Sequence, residues 1–129
     1  MQRLRPWWLV IAWCALIFVL SSVPGHRLPE MPAANFDKLV HAIVYGVLGA
    51  LCWRALRRTS NIRASIAVGL AAALATVYGV SDELHQLLTP GRSCDIHDVM
   101  ADAIGGMGGA VLVALAASLR SRDRGAGRR

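Results

Sequence analysis

The sequence predicts an all-α membrane protein: a bundle of four transmembrane helices with both termini in the cytoplasm. Composition is the first observation, since 55% of the 129 residues are hydrophobic, 17% are charged and the mean hydropathy is +0.45. A soluble domain of this length carries its apolar residues in stripes, whereas here they form long blocks without charge. No block alternates apolar and polar residues as a spanning strand does, so helices must satisfy the backbone hydrogen bonds within the bilayer.

Four apolar blocks follow one another, each about as long as a helix that crosses a bilayer. Their predicted bounds are residues 6–23, 38–56, 64–88 and 98–119, which together make residues 1–119 a single domain. The third block continues past two acids until Pro90 and Gly91 stop it. A cleaved signal peptide is the alternative for the first block, but that block is long, rich in tryptophan and not followed by a small-x-small cleavage pattern.

Basic residues are distributed unevenly among the segments that connect the blocks. Eleven lie before the first block, in or beside the connection between the second and third, or after the fourth, against three in or beside the other two connections. Because positive residues concentrate in cytoplasmic segments, both termini are predicted to lie inside. Contact with anionic lipid accounts for the net charge of +6, so no nucleic-acid partner is predicted. Residues 120–129 are predicted to be a basic, disordered cytoplasmic tail.

Acidic residues show the opposite distribution, and seven of the eight lie in the outer connections or at the outer ends of the predicted helices. These seven are Glu30, Asp37, Asp82, Glu83, Asp95, Asp98 and Asp102. An ionised side chain below the membrane surface is costly unless it is paired or hydrated. Spacings of three and four residues place polar groups on one face each of the second, third and fourth helices. The sequence therefore predicts one polar cavity, formed by these three helices and open to the outer side.

Glu83, Asp82 and His41 are the candidate catalytic residues. Two carboxylates in a poorly hydrated site repel each other, so one can keep a proton and act as a general acid or base while His41 relays a proton. The candidate binding residues are Lys38 and Arg92, which suit anionic oxygens, with Gln86, His85, Tyr45, Asp37, Asp98 and Asp102. Several of these residues also have structural alternatives. Asp37 and Asp98 lie near helix starts and can cap the helices, and His41, His85 and Tyr45 can be packing residues.

Three classes of function are compatible with these residues. The first is an enzyme that uses acid and base chemistry on a lipid head group, and the second is a nonenzymatic binder that holds a ligand or shields a target from an amphiphilic antibiotic. A small proton-coupled transporter is the third, and homo-oligomerisation stays open. No cofactor is evident. A divalent metal on His41, His85, Asp82 and Glu83 has weak support, because their spacing matches no established ligand motif, and no metal site is assigned.

Short polar motifs follow one another along the chain in a fixed order: Ser21, Ser22 and Pro24; Asp37-Lys38-x-x-His41-x-x-x-Tyr45 with Leu48-Gly49; Asp82-Glu83-x-His85-Gln86; Pro90-Gly91-Arg92; and Asp98, Asp102 and Gly105. With these motifs the chain resembles the VanZ-like family of small bacterial membrane proteins. One departure is Asp102, since this family commonly has asparagine there. A neutral amide is thus replaced by an ionisable carboxyl.

The resemblance implies a multi-pass protein of the bacterial cytoplasmic (inner) membrane. The family's name comes from a member linked to resistance against the glycopeptide teicoplanin, which implies an effect on glycopeptide susceptibility but no settled reaction. Membrane lipids or lipid-linked cell-wall precursors are the partners expected of an envelope protein with a polar outer pocket.

Overall fold

The protein folds into four α-helices, as the sequence predicts. A computed structural model describes residues 2–28 and 36–126, and no β-strand occurs within those ranges. A 3-10 helix over Gln2–Trp7 leads into α1, and a second short one covers Gly25–Arg27. The α-helices are α1 over Trp8–Ser21, α2 over Phe36–Thr59, α3 over Ala64–Gln86 and α4 over Ile96–Ala126. Glu30, Met1 and residues 127–129 lie outside the described ranges.

Three of these helices, α2, α3 and α4, are long and apolar enough to cross a membrane. Helix α1 has 14 residues, about 21 Å at the usual rise, and is shorter than the predicted block 6–23. It ends at Ser21 because Pro24 follows, and proline disfavours the helical conformation in the residue before it. At its start, α1 continues directly from the 3-10 helix over Gln2–Trp7.

The other helix ends also differ from the predicted bounds. Helix α3 stops at Gln86 and tightens into a turn that leads to Gly91, whose φ of 75° suits glycine. Helix α4 begins at Ile96 because Asp95 caps it: its Oδ1 accepts a hydrogen bond from the His97 backbone N–H at 2.9 Å. The same helix continues through Arg120 to Ala126, where a disordered tail was predicted. Arginine is a good helix former, and positive charge suits a helix C-terminus.

Alanines and glycines form much of the buried core of the bundle, together with a few large side chains such as Tyr45 and Leu48, and many large apolar side chains lie on the outside. Gly49, Gly105 and Gly109 lie at the interface of α2 and α4, where an added Cβ would collide with the backbone of the facing helix. Val77 and Leu112 are 69% and 70% exposed. This inverted distribution is typical of helices that pack closely within lipid. Gly108 of α4 differs from these glycines, since it faces open space.

Helix α1 is attached to the bundle by two side chains that donate to backbone carbonyls. Trp13 Nε1 donates to the Val44 carbonyl of α2 at 3.0 Å, and the Tyr78 hydroxyl of α3 donates to the Cys14 carbonyl at 2.6 Å. These bonds place the end of α1 beside the end of α3 and the start of α2. We call this end of the bundle the polar end; it comprises Ser21, Lys38, His41, Asp82, Glu83, Gln86, Asp95, Asp98 and Asp102.

Candidate functional site

Two neighbouring carboxylates of α3 are buried at the polar end, with Asp82 5% and Glu83 1% exposed. Asp82 accepts hydrogen bonds from the Ser21 hydroxyl at 2.6 Å and from Gln86 Nε2 at 3.3 Å. Glu83 accepts from Gln86 Nε2 at 3.1 Å and from the Asp95 backbone N–H at 3.0 Å. All these donors are neutral, so they satisfy oxygen atoms without balancing negative charge.

A histidine and an aspartate meet across the interface of α2 and α4. His41 Nδ1 lies 2.9 Å from Asp102 Oδ1, and Asp102 is completely buried. Gly79 of α3 makes room for this carboxylate, because a Cβ there would lie 2.5 Å from Asp102 Oδ2. Among the described residues, Asp102 Oδ2 and the buried Tyr45 hydroxyl have no hydrogen-bond partner.

Lys38 neutralises a separate group of acids at the edge of the polar end. Its Nζ lies 2.9 Å from Asp37, 2.7 Å from Asp95 and 2.6 Å from Asp98. The hydrogen bond from Lys38, followed by that from the His97 backbone N–H, holds the pKa of Asp95 well below its usual range. Lys38 thus already contacts three carboxylates of the protein, whereas the sequence predicted that it binds the anionic oxygens of a ligand.

Two other predicted site residues bond to the end of α1. Arg92 donates through Nε to the Val23 carbonyl and through Nη2 to the Leu20 carbonyl, both at 3.3 Å. His85 stacks on Phe18 with ring centroids 4.5 Å apart, and its Nε2 lies 3.0 Å from the Ser22 hydroxyl. His85 therefore turns away from the buried carboxylates, although it lies between Glu83 and Gln86 in the chain.

A cavity of about 290 Å³ lies beside these groups, between α1, α2 and α3. The sequence predicted a cavity of α2, α3 and α4, but the acids of α4 lie outside this lining. Its apolar lining includes Ile17, Leu20, Val40 and Val44, and its polar lining includes His41, Tyr45, Asp82, Gln86, Asp37 and Arg92. Such a lining can contact an apolar chain and a polar group of one molecule.

The donor set at the polar end also suits a cation. His41, Glu83 and Asp102 each offer one ligand atom, and these atoms all lie within 4.8 Å of one another. This set shares only His41 and Glu83 with the four residues suggested by the sequence. Asp82 bonds to Ser21 and Gln86, and His85 faces α1.

The sequence analysis did not identify three residues that contribute to the site. Ser21 was noted only as part of a family motif, Asp95 only as an outer acid, and Gly79 not at all. The pattern Asp95-x-His97 ahead of an apolar block is a capping signal that could have identified Asp95. Gly79 precedes Asp82 by three residues, so it lies on the same helix face.

Comparison with known proteins gives one match. The family model described as VanZ/LLP1 matches residues 6–117, a range that includes most or all of every α-helix and the whole polar end. No curated protein and no solved structure matches the chain significantly. Because the family model covers most of the sequence, and the helices are apolar as a membrane protein requires, the chain is a membrane protein that belongs to the VanZ/LLP1 family.

Proposed function

We propose that the protein crosses the bacterial cytoplasmic membrane several times, with its polar end on the outer side. Support comes from the arginines at the opposite end of the bundle, among them Arg54, Arg57, Arg58 and Arg120. Positive residues concentrate on the cytoplasmic side of membrane proteins. In this orientation the 290 Å³ cavity opens near the outer leaflet.

In this cavity the protein binds the polar head group of an envelope lipid or of a lipid-linked cell-wall precursor. The observation that carries the proposal is that the lining combines apolar side chains of α1 and α2 with polar side chains, most of them from α2 and α3. An acyl or prenyl chain fits against Leu20, Val40 and Val44. The head group then contacts Asp82, Gln86 and His41.

The polar lining favours head groups that carry hydrogen-bond donors. Asp82 offers carboxylate oxygens, and Arg92 offers the N–H groups that its two backbone bonds leave free. Hydroxyl or amino groups suit the carboxylate, and a phosphate suits the guanidinium. Lipids that combine a phosphate with a sugar or an amine meet both requirements.

Chemical processing of the bound head group is the second candidate function. It is favoured by the contact between His41 and Asp102, since a histidine held through Nδ1 by a carboxylate has its other ring nitrogen available for proton transfer. Asp82 lines the cavity and can serve as the acid or base, with Glu83 beside it. Altered susceptibility to glycopeptides of the teicoplanin type belongs to the same proposal, because the resemblance to the VanZ-like family implies it.

The test of binding compares two tryptophan variants of α2. Val40→Trp fills the cavity, whereas Ile43→Trp adds the same bulk one turn away at a side chain that is 59% exposed. Native mass spectrometry of the protein in mild detergent should show a copurified lipid with the wild type and with Ile43→Trp, and its loss with Val40→Trp. Equal lipid content in all three proteins would refute binding in this cavity.

Processing is tested in a deletion strain that carries the wild type or His41→Gln at equal membrane levels. A lipid or precursor whose abundance follows the wild type but not the variant supports acid and base chemistry. Identical lipid profiles, together with lipid still bound to His41→Gln, would leave binding as the function. Glycopeptide susceptibility of the same strains gives a second readout.

A further inference from the structure

We propose that His41, Glu83 and Asp102 bind a divalent transition-metal ion at the polar end. The three residues come from α2, α3 and α4, so the site joins three helices. Their ligand atoms lie within 4.8 Å of one another, and the two carboxylates are 1% and 0% exposed. The site shares His41 with the lining of the lipid cavity, but it does not depend on the proposed binding of lipid.

The balance of charge in the buried cluster is the first argument for a cation. Asp82, Glu83 and Asp102 are buried carboxylates. Among the residues that the structure describes, Lys38 is the only lysine or arginine within 4.0 Å of any carboxylate oxygen, and it contacts three other acids. Negative charge that is buried without compensation is strongly unfavourable. One divalent ion at these ligands would balance two of the carboxylates.

A carboxylate oxygen with unused acceptor capacity is the second argument. Asp102 is fully buried, its Oδ1 contacts His41, and its Oδ2 has no hydrogen-bond partner in the described part of the chain. Buried polar atoms are rarely left without a partner. The carboxyl of Asp102 therefore adds negative charge where His41 and Glu83 converge.

The donor atoms indicate which ions suit the site. One imidazole nitrogen with two carboxylate oxygens fits Zn²⁺ or Mn²⁺, whereas Mg²⁺ and Ca²⁺ prefer oxygen ligands alone. Zinc binds such atoms at about 2.0–2.2 Å in a tetrahedral arrangement, so two ligand atoms lie about 3.4 Å apart. The three ligand atoms lie within 4.8 Å of one another, so each pair must approach by about 1.4 Å at most to bind the ion. Three protein ligands leave a coordination position for water or another ligand.

The test measures metal binding by the full-length protein in detergent, without a histidine tag. After chelator treatment and its removal, Zn²⁺ and Mn²⁺ are titrated by calorimetry, and bound metal is counted by mass spectrometry. We expect one equivalent for the wild type. Glu83→Gln and Asp102→Asn should weaken binding at least tenfold. His26→Gln and Asp123→Asn are matched controls, since both side chains are exposed and outside the cluster, and they should bind like the wild type.

Thermal unfolding of the same proteins supplies a second readout. Metal should raise the melting temperature of the wild type and both controls, but not of Glu83→Gln. If the wild type binds neither ion stoichiometrically, or if Glu83→Gln and Asp102→Asn bind as it does, the proposal is wrong and the cluster is an ion-pair network centred on protonated His41. Val40→Trp separates the two proposals, because it should lose lipid while it still binds metal.

Discussion

At the scale of single residues, the contact between Ser21 and Asp82 connects the end of α1 to the buried acids of α3. The Ser21 hydroxyl donates at 2.6 Å to Asp82 Oδ1, and both residues are buried. A hydrogen bond to a buried, charged acceptor is stronger than one between neutral groups. This bond also closes one side of the cavity, since both residues line it.

Removing the hydroxyl should therefore destabilise the protein. Ser21→Ala leaves Asp82 with Gln86 as its remaining side-chain donor, and we expect a loss of about 1 to 3 kcal/mol in the free energy of unfolding. Ser81→Ala is the control, because that hydroxyl is exposed and donates only to the Tyr78 carbonyl of its own helix. Denaturant titration in micelles measures both variants, and equal stability of the two would contradict this role of Ser21.

At the scale of secondary-structure elements, α2 and α4 pack through their backbones. Glycines replace side chains where the helices cross: Gly109 faces Gly46, and Gly106 faces Gly49. Close backbone approach increases van der Waals contact, which drives helix association in lipid. The same approach brings His41 of α2 to Asp102 of α4.

Two adjacent glycines of α4 allow a matched test of this packing. Gly109→Ala places a methyl group against the backbone of Gly46, and we expect it to cost about 1 to 3 kcal/mol of stability by overpacking. Gly108→Ala places the same group in open space, and its better helix propensity should leave stability unchanged or raise it by up to about 1 kcal/mol. Thermal unfolding in detergent measures the difference, and a Gly109→Ala protein as stable as the wild type would show that the helices are less tightly packed.

At the scale of the whole molecule, charge separates the two ends of the bundle. Acids and Lys38 occupy the polar end, and arginines without ion pairs among the described residues surround the other end. The arginine distribution predicts which end faces the cytoplasm. Cys94, in the connection between α3 and α4 at the polar end, is exposed, whereas Cys52 is buried.

Orientation can be tested with one exposed cysteine at each end. In a variant without Cys14 and Cys52, a membrane-impermeant maleimide should label Cys94 in intact cells. A second variant carries Ser60→Cys at the arginine-rich end in place of Cys94 and should be labelled only after permeabilisation. The reverse pattern would invert the proposed topology.

The sequence predicted the helices from the length of the apolar blocks and the polar faces from residue spacing. Long uncharged blocks identified the helices, and spacings of three and four residues grouped His41 with Lys38 and Asp82 with Gln86. The sequence did not predict which side chains of different helices contact each other. The pairing of His41 with Asp102 depends on how α2 and α4 rotate against each other, which their glycines determine.

Connections were predicted least well, because they have no periodicity. The backbone N–H of Asp95 bonds to Glu83 and its side chain bonds to Lys38, yet nothing in the spacing relates these three residues. Helix α1 was predicted as a membrane span, but its place as one side of the cavity follows from two bonds: Trp13 of α1 donates to Val44 of α2, and Tyr78 of α3 donates to Cys14 of α1.

Those two bonds affect which positions of α1 and α2 tolerate substitution. Trp13 and Tyr78 donate to the carbonyls of Val44 and Cys14, and every residue type carries a carbonyl. Attachment of α1 therefore requires the side chains of Trp13 and Tyr78, whereas the residue types at positions 14 and 44 can vary. Variation at those positions can reshape the apolar lining to which Val44 contributes, while the helix itself stays in place.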